Sequence, residues 1–259
     1  MHSVNRLAWN EDGSMLASCS DDLQVVLWRL ERGGPVATFS TSHKNNILGI
    51  KFIPQCGSQA VVTGAMDGMV EVHNLSDRFQ SRINSEQFHC HLHRVKYVEV
   101  EPMNPNLFFS AGEDGCTRQY DLRLPLAGCI QNDGETGLAS MYDSKNCIIS
   151  QNMHTLSVRV NPVDTNLLVT ASGDSKIRVY DRRMLGLCTA KKAREFQPCK
   201  VYCPAHLTHA RRTHSTYAEF SPCGRSIIAN YHSEHTYLFD VNGSNSSNDS
   251  QVWTFTHPS

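Results

Sequence analysis

The sequence has no hydrophobic run of the ~18–20 residues that a membrane-spanning helix needs. Its first residues, MHSVNRLAWNEDG, lack the apolar core and the small-residue cleavage site of a secretory signal. The ten cysteines show no CxxC pair and no disulfide framework spacing, which favours mostly reduced thiols in an intracellular protein. We therefore expect no membrane partner and a location in the nucleus, the cytoplasm or both.

The common motifs of catalysis are missing too. Neither of the phosphate-binding patterns GxxxxGK[ST] and GxGxxG occurs, and there is no GxSxG elbow or HExxH helix. A net charge of −1 provides no overall attraction to nucleic acid. These absences predict a protein that is not an enzyme, has no cofactor and has no nucleic-acid partner.

A short frame of residues returns five times along the 259-residue chain. A small hydroxyl residue is followed after three residues by an acidic residue, and after five more by an aromatic ring and a polar residue. The copies are Ser18/Asp22/Trp28/Arg29, Thr63/Asp67/His73/Asn74, Ser110/Asp114/Tyr120/Asp121, Thr170/Asp174/Tyr180/Asp181 and a decayed fifth, Ala229/Ser233/Phe239/Asp240. Their acidic positions are about 45, 47, 60 and 59 residues apart, which matches a propeller repeat of ~40–45 residues with two insertions.

Each copy lies in a run of short alternating strands separated by turns rich in Pro, Asn and Gly. The sequence therefore predicts an all-β fold, a β-propeller of about five blades over residues 1–241. The predicted blades lie near 4–40, 43–88, 91–125, 154–186 and 214–241. Because five blades rarely close a ring, we expect an incomplete one, completed by sequence absent here unless the short strand at 252–256 covers an edge.

Three segments fall outside the regular repeat. Residues 124–155 and 184–213 are long polar inserts, and long loops of compact domains are often functional, so they are candidates for specialised surface. Residues 242–259 contain the low-complexity stretch NGSNSSNDSQ and are predicted to be a flexible polar tail.

The repeated aspartates have a structural explanation. A turn aspartate can accept from backbone N–H groups and from a histidine in the loop before the blade, above the hydroxyl residue and the ring. His43 is placed for this role in the second blade, and His91 or His93 in the third. A proton relay using the same residues is the alternative, and we favour the structural role.

The most metal-like stretch is Cys199-x3-Cys203-x2-His206-x2-His209, because thiolate and imidazole are the ligands that zinc prefers. Its Cys and His pairs are too close together for a zinc finger, so we favour a loop with surface thiols and expect no metal. The basic residues between Lys191 and Arg212 favour a solvated loop, with an acidic peptide, nucleic acid or an import receptor as alternatives.

The most specific motif is a pair of strand endings. Two adjacent blades end in Tyr120-Asp121-Leu122-Arg123 and Tyr180-Asp181-Arg182-Arg183, so an arginine stands two residues beyond the terminal aspartate twice. Arg123 and Arg183 should emerge on one face of the disc, and arginine is well suited to interfaces. The alternative is a pair of Asp–Arg contacts within each blade.

Several of these residues resemble a known family. The segment SDDLQVVLW at 20–28, with EDG at 113–115 and GDS at 173–175, resembles WD-repeat blades. The two Tyr-Asp-x-Arg endings resemble the WDxR box of receptors that dock on the damage-specific DNA-binding adaptor of cullin-4 ubiquitin ligases. HKNNI, SAGEDG and RVYDRRMLG, at 43–47, 110–115 and 178–186, are similar to the subgroup of the WD-and-tetratricopeptide-repeat protein and the nuclear receptor interaction protein.

The resemblance implies a non-catalytic substrate receptor that links target proteins to a cullin-4 RING ubiquitin ligase and promotes their ubiquitination. Its implied partners are the ligase adaptor, the cullin-4 complex and unidentified protein substrates. The implied partner-binding residues are Asp114, Tyr120, Asp121, Arg123, Asp174, Tyr180, Asp181 and Arg183. Both boxes carry tyrosine where tryptophan is usual. The alternative function is a general interaction scaffold, in transcription or chromatin, without ligase attachment.

Overall fold

The computed structural model describes residues 3–77, 83–124, 146–185, 197–208, 210, 212–242 and 251–253. These residues form five four-stranded antiparallel sheets, and each sheet is one blade of a partial β-propeller. The predicted all-β propeller of about five blades is confirmed. Within the described residues the helical segments are single 3₁₀ turns, and no helix there is long and apolar enough to cross a membrane.

In every blade the four strands follow chain order from the inner to the outer strand. The first two blades consist of β1 (Val4–Trp9), β2 (Met15–Ser20), β3 (Gln24–Arg29), β4 (Gly34–Ser40), β5 (Ile47–Phe52), β6 (Ala60–Ala65), β7 (Met69–Asn74) and β8 (Ser85–His89). The other three consist of β9 (Val95–Val100), β10 (Leu107–Gly112), β11 (Cys116–Asp121), β12 (Cys147–Ser150), β13 (Thr155–Val160), β14 (Leu167–Ser172), β15 (Ile177–Asp181), β16 (Lys200–Tyr202), β17 (Ser215–Phe220), β18 (Ser226–Tyr231), β19 (Thr236–Asp240) and β20 (Gln251–Trp253). The 3₁₀ turns are Leu30–Arg32, Leu75–Asp77, Arg182–Met184 and Ala205–Leu207.

An aspartate fixes the tight turn between the second and third strands of a blade. In the second blade Asp67 Oδ1 accepts from the N–H of Met69 at 2.9 Å, and in the third Asp114 Oδ1 accepts from Cys116 at 3.0 Å. The glycine of the third-blade turn, Gly115, has a φ of 78°, in the left-handed region that favours glycine. The predicted role of the repeated aspartate in turn geometry is confirmed in these two blades.

Charged and tyrosine side chains of the inner strands meet at the centre of the propeller. This central cluster consists of Tyr97, Glu99, Arg159, Tyr217 and Glu219. Nη1 of Arg159 lies 2.7 Å from Glu99 Oε2 and donates to the Tyr97 hydroxyl at 3.0 Å, while Nη2 binds Glu219. The hydroxyls of Tyr97 and Tyr217 are 3.3 Å apart. The cluster therefore joins the inner strands of the third, fourth and fifth blades.

Three blades take their outer strand from beyond the limits predicted for them. β12 and β16 lie inside the predicted inserts 124–155 and 184–213, and β20 lies inside the predicted tail. These strands are three or four residues long, too short to show an alternating pattern. Residues 125–145, 186–196 and 243–250, which precede them, lie outside the described residues, as do 254–259.

The first blade has an uncovered apolar face. Val25 and Leu27 of β3 are fully buried against the second blade, whereas Leu7, Trp9 and Trp28 remain exposed. Trp9, Leu16 and Trp28 are paired in register across β1, β2 and β3, so they share the opposite face of the sheet. This face is the open side of the partial propeller.

Candidate functional site

The third blade ends in an arginine that is exposed and held in place. Asp121, the last residue of β11, accepts from the backbone N–H of Arg123 at 3.0 Å. The guanidinium of Arg123 turns back onto the same carboxylate, with Nε donating to Oδ1 at 2.8 Å and Nη2 to Oδ2 at 2.7 Å. These hydrogen bonds from Arg123 lower the pKa of Asp121. Arg123 is nevertheless 60% exposed, so its outer edge is available to a partner.

The fourth blade repeats this arrangement. Asp181 accepts from the backbone N–H of Arg183 at 3.0 Å, and Nε and Nη2 of Arg183 donate to its two oxygens at 2.9 and 2.6 Å. The hydrogen bonds from Arg183 likewise lower the pKa of Asp181. Arg183 is 64% exposed. Among the described residues, Nη1 of neither arginine has a hydrogen-bond partner, so each fork keeps free donors.

The same turn occurs in other blades without the arginine. The side chain of Asn74 accepts from the N–H of Ser76, and that of Asp240 from the N–H of Asn242. The turn is therefore part of the repeat, and the side chain two positions after the strand varies. Arginine at this position distinguishes the third and fourth blades from the second and fifth.

Exposed apolar side chains lie at the same end of the third and fourth blades as the two arginines. They come from the turns there, and the four are Met103, Leu124, Val163 and Met184, of which Met184 is 79% exposed. We call these four residues with Arg123 and Arg183 the arginine patch. The sequence analysis missed its apolar part, although apolar residues inside polar turns such as Pro102-Met103-Asn104-Pro105 were a visible signal.

Arg182, which the sequence analysis did not select, holds the two boxes together. Its Nη1 contacts Glu101 and donates to the carbonyl of Thr165 at 3.0 Å, and its Nη2 donates to Gln119 at 3.2 Å. The guanidinium also lies 5.0 Å from the centre of the Phe109 ring. Arg182 thus attaches the fourth blade to the third directly beside Arg183.

At the other end of the third blade lies a buried chain of hydrogen bonds. Nδ1 of His91 lies 3.0 Å from both carboxylate oxygens of Asp114, and Nε2 lies 2.5 Å from the hydroxyl of Ser110, which bonds Tyr120 at 3.1 Å. Of the two predicted histidines, His91 is the one used. Burial would raise the pKa of Asp114, but attraction to His91 and its hydrogen bonds lower it to about 2.

The second blade has the same network, but a histidine, His73, takes the place of the tyrosine at its end. Nδ1 of His43 lies 3.3 Å from both oxygens of Asp67, and its Nε2 lies 2.9 Å from Thr63, which is hydrogen-bonded to His73 at 2.9 Å. Burial lowers the pKa of His73 to about 3. Glu71, 3.5 Å from His73, is fully buried, and its pKa is raised by this burial.

Comparison with known proteins agrees with this repeated geometry. The family described as "WD domain, G-beta repeat" matches residues 1–29 and 145–181. The chain carries WD40 repeats. Each network above occupies one WD40 blade, with a histidine, an aspartate and a hydroxyl residue in corresponding positions.

Three relatives align with almost the whole chain of WD40 repeats. Protein ALTERED SEED GERMINATION 2 of Arabidopsis thaliana is 37% identical over 258 residues, covering 92% of this chain and 34% of its own length. WD and tetratricopeptide repeats protein 1 of Homo sapiens is 32% identical over 263 residues, with coverage of 92% and 37%. DDB1- and CUL4-associated factor 6 of Homo sapiens is 29% identical over 240 residues, with coverage of 92% and 26%. The chain therefore spans about a third of the length of the curated relatives it matches.

The structure divides the eight predicted site residues of the WD40 boxes into two groups. Asp121, Arg123, Asp181 and Arg183 lie at the same end of their two blades, each arginine paired with its own aspartate. The other four are Asp114, Tyr120, Asp174 and Tyr180, and they do not reach that surface. Both tyrosines are buried and fill the aromatic position of the repeat, while the two aspartates lie in the turns at the opposite end. These four residues are therefore not part of the exposed surface that carries Arg123 and Arg183.

The remaining WD40 blades use variants of the network. In the fourth, Gln151 stands where His91 stands in the third, donating to Thr170 at 3.3 Å, and Asp174 pairs with Arg178 at 2.5 Å. In the first, the indole N–H of Trp28 donates to Ser18 at 3.0 Å. Sequence reasoning missed Gln151, although its spacing of 23 residues from the turn aspartate equals that of His91.

The three described members of the Cys/His stretch, Cys199, Cys203 and His206, each contact a different group. Cys199 donates to the carbonyl of Val179 at 3.1 Å, and Cys203 to Ser175 at 3.5 Å. His206 is hydrogen-bonded to the hydroxyl of Tyr237 at 3.0 Å. His209 lies outside the described residues, as do Lys191, Lys192, Arg194 and Arg211 of the basic insert.

Most of the described cysteines carry reduced thiols, as predicted from the sequence. They are Cys19, Cys56, Cys116, Cys147, Cys199, Cys203 and Cys223. Cys90 differs, because it is disulfide-bonded.

Proposed function

We propose that this chain is a non-catalytic substrate receptor that binds the adaptor of a cullin-4 RING ubiquitin ligase through its arginine patch. The observation that carries the proposal is the repeated geometry of Arg123 and Arg183, each fixed by its own aspartate and each left exposed. The name of one relative, DDB1- and CUL4-associated factor 6, supports the choice of partner. The proposed location is the nucleus, the cytoplasm or both.

The Asp–Arg pairs favour binding because they reduce its entropic penalty. A free arginine loses roughly 1.5–2 kcal/mol of rotamer entropy when it is immobilised at an interface. Asp121 and Asp181 already hold Nε and Nη2 of each arginine, so part of that loss is incurred during folding. Arg182 fixes the two blades relative to each other, so both anchors meet a partner in one orientation.

The composition of the arginine patch also favours a protein partner. Arginine and methionine are enriched at protein interfaces, whereas lysine and glutamate are depleted there. Met103 and Met184 provide flexible, exposed apolar surface at the same end of the blades as the two arginines. A partner that offers an acidic or carbonyl-rich rim around an apolar centre would match this surface.

The receptor would act by proximity. A substrate bound to the same chain is held at high effective concentration near the conjugating enzyme, so its lysines are modified without bond chemistry in the receptor. The described residues on either side of the first insert are Leu124, which follows Arg123 directly, and Asn146. We propose that the inserts 124–155 and 184–213 contribute to substrate binding.

The proposal is tested by measuring the affinity of the purified chain for purified adaptor. The Arg123→Glu/Arg183→Glu variant should weaken binding by at least a hundredfold, because it reverses the charge of both anchors. Each reversal should reduce the binding free energy by roughly 1–2 kcal/mol or more. The matched control is Lys44→Glu/Lys176→Glu, which makes the same charge change on exposed lysines at the opposite end of the blades. This control should bind like the wild type.

Circular dichroism and urea unfolding should show that all three proteins are folded. Folded wild-type chain that does not bind the adaptor, or equal losses in the two double variants, would reject the proposal. Either result would leave the general interaction scaffold as the better description.

A further inference from the structure

A cluster of potential metal ligands lies inside the second blade. His43 precedes β5, and Glu71 and His73 both belong to β7, two residues apart and on one face of the strand. One ligand atom of each residue lies within 4.8 Å of those of the other two, and all three side chains are buried. No other such group occurs among the residues that the structure describes.

Glu71 is the unusual member, because its carboxylate is not satisfied. Its Oε2 accepts from the N–H of Ser42 at 3.2 Å, but its Oε1 is buried with no hydrogen-bond partner among the described residues. A buried carboxylate needs a compensating positive charge or a full set of donors. The position therefore favours a cation.

The chemistry and arrangement of the donors favour zinc. Imidazole nitrogens and a carboxylate oxygen are good zinc ligands, and the separation of 3.5 Å between His73 Nε2 and Glu71 Oε2 is close to that of two ligands of one tetrahedral ion. His43 is held through Nδ1 by the carboxylate of Asp67, which is the usual outer partner of a metal-binding histidine and leaves Nε2 as the donor. The hydroxyl of Thr63 lies 2.9 Å from Nε2 of both histidines.

We propose that the second blade binds one Zn²⁺ through Nε2 of His43, Nε2 of His73 and the carboxylate of Glu71. The ion replaces the Thr63 hydroxyl as the link between the two rings. His73 then carries its single proton on Nδ1: the proton on Nε2 is released, Nδ1 takes one up, and the ring that binds the ion is neutral. Asp67 remains the outer partner of His43.

The third blade is an internal control for this proposal. Its network has the same histidine, aspartate and hydroxyl, but Tyr120 replaces His73 and Arg118 replaces Glu71. A phenol and a guanidinium do not ligate zinc at neutral pH, so the third blade should bind none. The repeat thus has one blade with a zinc ligand set beside one without.

The test is zinc binding by the chelator-treated chain, measured by equilibrium dialysis and elemental analysis. We expect one tight equivalent of Zn²⁺. Glu71→Gln and His73→Tyr should each weaken binding about a hundredfold or more, whereas His232→Gln, at an exposed histidine, should have no effect. The tyrosine variant places in the second blade the residue that the third blade already carries.

A cobalt spectrum of the wild type provides a second readout that does not depend on the variants being folded. Co²⁺ should give the bands of tetrahedral nitrogen and oxygen ligation without a thiolate charge-transfer band. Zinc that remains bound in folded Glu71→Gln and His73→Tyr, a thiolate band in the cobalt spectrum, or no zinc retained by folded wild type would each overturn the proposal. None of these outcomes depends on the adaptor.

Discussion

The second and third blades have the same buried network, and they differ in the charge placed beside it. In both, a histidine links the turn aspartate to a hydroxyl group. Four residues after the aspartate, the third blade has Arg118, 3.8 Å from Asp114, whereas the second has Glu71. In the third blade the buried carboxylate of Asp114 therefore has a cation beside it. In the second blade a further carboxylate, that of Glu71, takes the place of the cation.

This difference separates two tasks of the repeat. The histidine, aspartate and hydroxyl fix the turn in either blade, so they represent the structural part of the frame. The residues at the fourth position after the aspartate and at the aromatic position are free to change charge and donor type. In the second blade these two positions hold the potential metal ligands Glu71 and His73. In the third blade Arg118 at the first of them forms an ion pair with Asp114.

The largest expected effect comes from removing the turn aspartate of the third blade. Asp114→Ala should lower the free energy of unfolding by about 3–5 kcal/mol, because it leaves Arg118 and His91 without their buried partner. Asp67→Ala should lower it by about 2 kcal/mol, because Asp67 is more exposed and farther from its histidine. Urea unfolding measures both, with Glu86→Ala, at an exposed position, as the control that should be unchanged. An Asp67 effect equal to that of Asp114 would contradict the comparison.

The pH dependence of stability should distinguish the two blades next. The folded pKa of His73 is about 3, below the unfolded value of 6.5, so the unfolded state takes up a proton that the folded state excludes. Stability should therefore fall as pH decreases from 6.5 towards 3, with His73 contributing up to about 1.4 kcal/mol per pH unit.

His73→Phe should reduce that slope without abolishing it, because burial also lowers the pKa of His91. Tyr120→Phe should leave the slope unchanged, since Tyr120 does not titrate in this range. Urea unfolding in chelating buffer, between about pH 7 and pH 5, provides the measurement. Parallel slopes for wild type and His73→Phe would contradict the assignment of His73 as a buried neutral ring.

Substitution of the residue four positions after the turn aspartate should change the free energy of unfolding in opposite directions in the two blades. Without metal, Glu71→Gln should raise the free energy of unfolding by about 1 kcal/mol, since it removes an unsatisfied buried charge. Arg118→Met should lower it, because Asp114 loses a buried cation. Thermal unfolding in chelating buffer measures the two changes, and a loss of stability in Glu71→Gln would show that the carboxylate is satisfied in the folded protein.

The smallest effects concern the ring at the end of the network. Tyr120→Phe should lower the free energy of unfolding by about 1 kcal/mol, because it removes the 3.1 Å hydrogen bond to Ser110 while the bond between Ser110 and His91 remains. In the decayed fifth blade, the buried hydroxyl of Tyr231 has no partner among the described residues, so Tyr231→Phe should change stability by less than about 0.5 kcal/mol. Urea midpoints would show the contrast, and equal losses would indicate a hidden partner for Tyr231.

The repeat was predictable because its residues recur at fixed spacing in the chain. The turn aspartates, the strands that flank them and the use of His43 follow from local pattern alone. The outer strands β12 and β16 did not, because a strand of three or four residues pairs only after a neighbouring edge has formed. Their positions depend on the sheet rather than on their own sequence.

The candidate site was predictable to a lesser extent. Spacing identified Arg123 and Arg183, but their pairing with Asp121 and Asp181 was only the alternative interpretation, and the structure combines this pairing with exposure. The role of Arg182 depends on Glu101, Thr165 and Gln119, which belong to other turns and strands. Such long-range contacts leave no periodic trace in a sequence.

The central cluster has a consequence for how the chain acquires its structure during synthesis. The four strands of each blade are consecutive, so a blade can form soon after its last strand leaves the ribosome. Arg159 can pair with Glu99 once the fourth blade is made, but its contact with Glu219 must wait for the fifth. The contacts of the central cluster can therefore form only in the order in which the blades are synthesised. The last ion pair, between Arg159 and Glu219, can form only after the inner strand β17 has been translated.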